Sequence, residues 1–565
     1  MSQNLRLLLP VAGVAALLSW LVPNHYLPWV VAYNEFAAFL LVLVLAVVTL
    51  SGGARVSSSA LMMGCLSALP LLQWQFGLIH FFGDALLASI YLAGFSAMLV
   101  IGYSCAANSL VRCRVLTWCC AVMLVAAVLS AWIALRQWLM LSGSGWEVPL
   151  RPGGRPFANL AQPNNLATLL CVGLAAVLYL FEKRLLGRLS AGMLALFLIM
   201  GVALTQSRTP WVGAFCVLLW WAWKSRVIAS RLSVIGVAAW CGIYVFVLLV
   251  LPGLADLAHL SVPNLAARAQ SMQRLDLWLQ LWQAVMQGPL WGYGWTQVSV
   301  AQIAVAIEHP APIFAANSHN IFLDLLIWNG PVLGGLIILF LVAWLALLGW
   351  RARTAESVIA LLAVGFVLVH GLLEFPLEYA FFLFPVGFLL GMIEADEQVS
   401  STFTMARWTH VTGIVLSFGL FVWIWHEYRL IEEDYRLMRF EAARVGNLRS
   451  EQKAPDVVLL TQLREFIRFA RTEVHDGMSQ KELAWMGGVA HRYPYAPSLF
   501  NYALALGVNK RSVEAHEQML ILRSLHGAGR YEEMCILLDS MRANYPQLGS
   551  LVVRLPRGGG DKKFF

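Results

Sequence analysis

The run HNIFLDLLIWNGPVLGGLIILFLVAWLALLGW, residues 319–350, decides the architecture of this chain. A helix crosses the bilayer core with ~20 apolar residues, so this run is too long for one crossing. Gly330-Pro331 is expected to divide it into a short interfacial piece and a true span. Its opening is the unusual part, because His319 and Asn320 stand where a membrane helix should begin. Their purpose depends on which side of the membrane that point lies and on what else gathers there.

Composition agrees with a membrane chain. Of 565 residues, 59% are hydrophobic and 12% charged, with a mean hydropathy of +0.70. Soluble domains average roughly 25% charged residues. The net charge of +8 does not indicate nucleic acid, since Lys and Arg of such chains collect in cytoplasmic loops. Most of the nine cysteines, Cys119, Cys120 and Cys171 among them, lie in or near apolar runs and read as small packing residues. Cys535 alone falls in the polar tail, so that tail has no internal disulfide. No Cys/His spacing suits zinc. Arg6 precedes an apolar run without a small-residue cleavage site, which reads as a retained first helix.

Apolar runs predict an all-α polytopic bundle of about thirteen spans, at 6–22, 29–50, 60–79, 85–104, 115–136, 160–181, 189–206, 209–223, 232–252, 319–350, 357–373, 377–394 and 408–426. Alternate connections carry Arg55; Arg112 and Arg114; Lys183, Arg184 and Arg188; Lys224, Arg226 and Arg231; Arg351 and Arg353; and Arg407. The positive-inside rule puts these in the cytoplasm. The other connections, including the long loop 253–318, then face outward, which for a Gram-negative inner membrane is the periplasm. An odd number of spans leaves the N-terminus inside and the tail outside. Residues 1–426 therefore form the membrane domain. Residues 427–565 form a polar, helical outer domain with a repeat-like character but no strict period.

A charge at mid-bilayer costs roughly 2.5–3.5 kcal/mol on insertion scales, so polar groups at membrane depth or at its boundary need reasons. Four groups stand out, all on the outward face. In GRPFANLAQPNNLATLL, residues 154–170, Gln162, Asn164 and Asn165 open a span beside Arg155. A helix cap would need one such residue, not three. In TQSRTPW, residues 205–211, Arg208 sits in a very short turn. It either snorkels to the interface or offers a fixed fork to two phosphate oxygens. The 253–318 loop carries Arg268 and Arg274 on an amphipathic segment that suits the membrane plane, with Trp278 and Trp282 at the interface. That loop ends in NSHN. In HGLLEFPLEYAFFLFP, residues 370–385, Glu374, Glu378 and Tyr379 surround another outer turn, where Tyr379 could also be an aromatic-belt residue. Glu35 is the main polar intruder in an early span, with an open role.

Arginines, a histidine, amides and a tyrosine on one face suit a reaction on an anionic, lipid-linked substrate. Arg208 and Arg274 would clamp a leaving phosphate, and His319 would take a proton from an incoming hydroxyl. A transporter would instead show ionisable groups at mid-span and paired gaps in two related halves.

On these four segments, spanning about residues 154–392, the chain resembles bacterial O-oligosaccharyltransferases of the PglL type. That family sits within the O-antigen ligase and polymerase superfamily. The histidine and arginine segments are superfamily-wide, whereas QPNN and EFPLEY are closer to the protein-modifying branch. The resemblance implies a GT-C-like membrane glycosyltransferase, with no metal or cofactor expected. It would move an oligosaccharide en bloc from undecaprenyl diphosphate to Ser or Thr hydroxyls of periplasmic proteins such as type IV pilin. It also implies catalytic roles for His319, Gln162 and Tyr379, and diphosphate binding by Arg208 and Arg274. Asn164, Asn165, Arg155, Asn320, Arg268 and Glu374 are further candidates for substrate contact. The family often has Asn-His after the glutamine-proline; Asn164-Asn165 here removes one proton acceptor and leaves His319 as the better base. The rival expectations are an O-antigen ligase acting on lipid A core, an O-antigen polymerase, and a membrane transporter.

Overall fold

In lipid a backbone must satisfy its own hydrogen bonds, so long apolar runs fold as helices. The computed structural model follows that rule over the residues it describes: 3–50, 53–141, 143–257, 259–260, 273–399, 401–443, 453–549 and 551. Among the described residues eight helices are long and apolar enough to cross a membrane: Ala32–Thr49, Phe82–Ala106, Ser109–Trp138, Pro163–Glu182, Arg188–Thr205, Val234–Leu257, Ile321–Arg351 and Arg407–Ala442. Shorter apolar helices, Thr209–Lys224, Ala355–Gly371 and Ala380–Asp396, pack among them. The chain is a multi-pass, all-α membrane protein.

Two departures from the sequence expectation concern continuity. The 60–79 run is not one continuous helix but two pieces, Ser58–Leu66 and Leu69–Gln75. The change from apolar to polar composition at 426/427 falls inside a single helix, Arg407–Ala442, which carries the chain from membrane to tail. The 319–350 run does break where glycine and proline adjoin: Gly330 has φ 74° and ψ 170° inside Ile321–Arg351. A Cβ at Gly330 would stand 1.9 Å from the Leu290 carbonyl. Only glycine lets the GPLWGYGW loop seat there, with the Tyr293 and Gly294 amides donating to Ile327 and Trp328 carbonyls at 2.8 and 3.1 Å.

The centre of the bundle is the pair Phe82–Ala106 and Ala380–Asp396. Cβ atoms at Gly102 and Gly391 would each lie 2.1 Å from a carbonyl oxygen of the partner helix. Small residues bring membrane helices to backbone contact and supply packing that lipid does not oppose. This holds the turn before Ala380 against the rest of the bundle.

The basic connections meet at one end. Arg112 pairs with Asp396 at 2.9 Å, Lys183 with Glu356, and the Arg231 amide with Glu182. The short strand Arg55–Ser57 pairs antiparallel with Ser401–Thr404 there. At the opposite end the tail helices Thr461–Arg471, Gln480–Arg492, Ala496–Val508 and Ser512–Ser540 dock on the loops. Arg492 grips Asp84 through two bonds of 2.8 and 2.9 Å, and Ser524 donates to the Ala306 carbonyl at 2.6 Å.

Candidate active site

The NSHN turn is built to present one side chain. Asn320 caps the Ile321–Arg351 helix, its Oδ1 accepting from the Phe322 and Leu323 amides at 3.0 and 3.3 Å. Ser318 gives its amide to Asp324 Oδ1 at 2.9 Å, and its carbonyl accepts from Trp278 Nε1 at 2.8 Å. Between them His319 adopts φ 60°, a left-handed conformation costing of order 1–3 kcal/mol for such a residue. The bonds on both sides hold that strain and aim the imidazole at Glu374, with Nδ1 and Oε2 2.6 Å apart.

Glu374 is the hub. Its side chain is only 2% exposed, yet it takes three partners. Besides His319, Arg274 bonds Oε1, and Asn164 Nδ2 donates to the same oxygen at 2.9 Å. Arg274 also donates to the Leu373 carbonyl at 3.1 Å. Burial alone would raise the Glu374 carboxyl, but the His319 hydrogen bond and the Arg274 charge outweigh it and hold the group below its ordinary range. An ionised carboxylate only accepts hydrogen bonds. The proton in the His319–Glu374 bond therefore belongs to Nδ1, and in the neutral ring Nε2 is left as a base.

Asn164 links this hub to the short turn. Its Oδ1 accepts from Arg155 at 3.2 Å, and Arg155 Nε donates to the Thr205 carbonyl at 2.7 Å. Arg208, three residues on, is exposed at the start of Thr209–Lys224. Among the described residues its guanidinium makes no hydrogen bond, and it does not touch His319 or Glu374. Gln162 stands at the N-cap position of Pro163–Glu182 without a capping bond from its side chain. Two alanines just before it, Ala158 and Ala161, have φ 51° and 59°. Asn165 is buried beside the half-buried Tyr379. Tyr379 stacks on Phe381 at 5.0 Å and leans on Phe375, whose ring meets His319 edge-on at 5.2 Å.

The structure thus brings together His319, Glu374, Arg274, Asn164 and Arg155, with Asn165 and Tyr379 adjoining through Phe375. Gln162 and Arg208 lie on the same end without touching the hub. Asn320 uses its Oδ1 for the helix cap. Arg268 lies outside the described residues. Trp278 is half-buried and donates to the Ser318 carbonyl, while Trp282 joins Leu275, Leu279 and Met286 on the exposed face of Gln273–Gln287.

Several supporting residues carried no clear sequence signal. Thr168 Oγ1 bonds His370 Nδ1 at 2.8 Å beneath the Glu374 turn. Glu378, already visible in the sequence beside Glu374, is half-buried in the short helical turn Pro376–Glu378. Glu35 was visible as an intruder, and its place is now plain. Its Oε2 accepts the Ala380 amide at 2.8 Å, capping the helix that follows Tyr379. Among the described residues no group of three or more His, Cys, Asp or Glu side chains is arranged to hold a metal ion.

Comparison with known proteins bears on this site. The family described as "Protein glycosylation ligase" matches residues 156–181, "O-Antigen ligase" matches 193–339, and "Virulence factor membrane-bound polymerase, C-terminal" matches 358–534. A "General O-oligosaccharyltransferase" of Acinetobacter baylyi is 32% identical over 533 residues, covering 92% of each chain. A "ComP-specific O-oligosaccharyltransferase" of the same organism is 28% identical over 334 residues, 58% of this chain and 60% of the relative.

Proposed function

The chain belongs to the bacterial O-oligosaccharyltransferase family, and on that premise we propose how its residues perform the transfer. It is a multi-pass membrane glycosyltransferase that O-glycosylates proteins. The donor is an oligosaccharide on undecaprenyl diphosphate, and the acceptor is a Ser or Thr hydroxyl of a periplasmic, pilin-like protein. The enzyme sits in the inner membrane, with its N-terminus in the cytoplasm and the His319 end and tail in the periplasm. The lysines and arginines gathered at the opposite end support that orientation.

The reaction is a displacement at the first sugar carbon. The acceptor oxygen bonds to C1, the C1–O bond to phosphate breaks, and the lipid diphosphate leaves with the electron pair. The hydroxyl proton passes to His319 Nε2. Glu374 holds Nδ1–H and stabilises the imidazolium that results, as a buried carboxylate does for a catalytic histidine. Arg208 and Arg274 bind the diphosphate as its charge develops, Arg274 turning from Glu374 toward the phosphate. Gln162 and Tyr379 orient sugar or phosphate oxygens, with Asn164 and Arg155 behind them. No metal or cofactor takes part, because two guanidinium groups carry the charge of the leaving group.

The 2.6 Å contact between His319 and Glu374 is the observation that carries this reading. The test is purified enzyme with a lipid-diphosphate oligosaccharide and a pilin-like acceptor, and the modified residue located by tandem mass spectrometry. Glycan on a Ser or Thr is the expected result. Glycan accepted only by lipid A core, or only by a second lipid-linked glycan, would contradict it.

A further inference from the structure

Two side-chain pairs join the Pro163–Glu182 helix to the end of Ala355–Gly371, one above the other. In the upper pair Asn164 donates to Glu374 Oε1 at 2.9 Å. In the lower pair Thr168 Oγ1 and His370 Nδ1 lie 2.8 Å apart. Asn164 and Thr168 are four residues apart in the chain, and so are His370 and Glu374, which sets both pairs on facing sides at one helical turn. The mechanism above uses the upper pair and gives the lower one no role.

His370 also holds the turn by its backbone. Its carbonyl accepts the Leu373 and Glu374 amides at 3.0 and 2.8 Å. The Leu373 carbonyl in turn accepts from Arg274 at 3.1 Å. The main chain that carries Glu374 and receives Arg274 therefore starts from a residue whose side chain is pinned to the neighbouring helix. His370 is 0% exposed and Thr168 3%, and His370 Nε2 has no hydrogen-bond partner among the described residues. A hydrogen bond between membrane helices adds little net stability, and an unpartnered buried nitrogen subtracts from it. What the pair supplies is direction: it fixes the height and rotation at which the helix end meets its neighbour. Glu374 needs that, because Oε2 must meet His319 Nδ1 at 2.6 Å while Oε1 holds Arg274 and Asn164. A misplacement of about 1 Å at a catalytic group can cost ~10²-fold in rate.

We propose that His370 is a positioning residue for the transfer. Bonded to Thr168, it fixes the turn that carries Glu374, and through Glu374 the orientation of the His319 base. It acts on the carboxylate rather than on the reacting atoms. The assignment rests on the reading of His319 as a base held by Glu374.

The test measures kcat and donor KM for the full-length enzyme in nanodiscs, with a lipid-diphosphate oligosaccharide and a pilin-like acceptor. Thermal unfolding is followed in parallel. Thr168→Val keeps the shape of the side chain and removes its hydroxyl; kcat is expected to fall about tenfold with donor KM unchanged. Thr168→Ser keeps the hydroxyl and is expected to restore most of kcat. His370→Leu should fall as Thr168→Val does, and the double variant no further, because the two residues act as one unit. Lowered thermal stability with kcat of the folded enzyme intact would overturn the role. So would equal kcat in Thr168→Ser and Thr168→Val, or additive losses in the double variant. His319→Ala is run beside them, and full activity there would overturn the reading of the base itself.

Discussion

His319 Nδ1 and Glu374 Oε2 stand 2.6 Å apart, and the other oxygen of the same carboxylate holds Arg274 and Asn164. One buried acid therefore sets the tautomer of the base, the resting place of a cation and the first turn of the QPNN helix. Glu374 first looked like one of several candidates for substrate contact; its position makes it the organiser of the others.

Removing that carboxylate should cost catalysis more than stability. Glu374→Gln keeps the shape but offers Nδ1–H a weaker acceptor, and transfer is expected to fall by ~10²-fold or more. The protein should remain folded in detergent. Wild-type activity in that variant would remove Glu374 from the mechanism. The sign of the pH effect follows from its depressed pKa. Its contribution is complete above the ordinary carboxylate value of 4.5 and is lost as pH falls through the lower folded value. Thermal unfolding of wild type between pH 7 and 5 should then show no loss from this group, with destabilisation only at more acid pH.

On the proposed mechanism Arg208 uses its planar fork. Arg208→Lys retains charge but not two-point binding, and a fall of about 10²-fold in kcat/KM is expected, on the scale of losing one oxyanion donor. Saturating the donor should not restore kcat fully if the contact strengthens as the phosphate leaves. Recovery of full kcat at high donor would limit Arg208 to ground-state binding.

Glu35 holds the Ala380 amide next to Tyr379. Glu35→Ala removes the acceptor for the Ala380 amide, a capping loss of about 1–2 kcal/mol, and transfer is expected to drop roughly tenfold if the loss falls on Tyr379's position. Glu35→Gln keeps an oxygen for that amide and should recover most activity. Equal damage from Ala and Gln would show that charge, rather than the cap, is what matters.

The tail is held to the membrane end by Asp84 and Arg492, whose side chains are 5% and 16% exposed. Breaking one partner of a buried pair costs ~3–5 kcal/mol. Asp84→Ala and Arg492→Ala should each lower thermal stability markedly, and the double variant should lose much less than their sum. Additive losses would mean that the two residues stabilise the protein separately.

Helical architecture was readable because apolar runs of membrane length leave the backbone one solution. The break at Gly330-Pro331 was readable for the same reason, since neither residue continues a helix smoothly. The 60–79 run misled because apolar composition alone does not register the turn at Ser67-Ala68. Sequence also gathered the polar segments on one face, but not their bonding. His319 meets Glu374 across 55 positions, and its left-handed backbone has no signature in NSHN beyond the flanking polar residues. Residue type suggested an interfacial place for Trp278 but not its bond to the Ser318 carbonyl. Arg492 could not be singled out among the surface arginines of a polar tail, because its partner lies 408 positions away.

The most direct measurement compares wild type with His319→Ala at matched protein level, in a host that lacks its own O-antigen ligase, makes a lipid-linked oligosaccharide and exports a pilin-like acceptor. Intact mass of the acceptor is the readout. The account predicts a glycan-sized mass gain with wild type and none with His319→Ala. A full mass gain in the variant would contradict the assignment of His319 as the base.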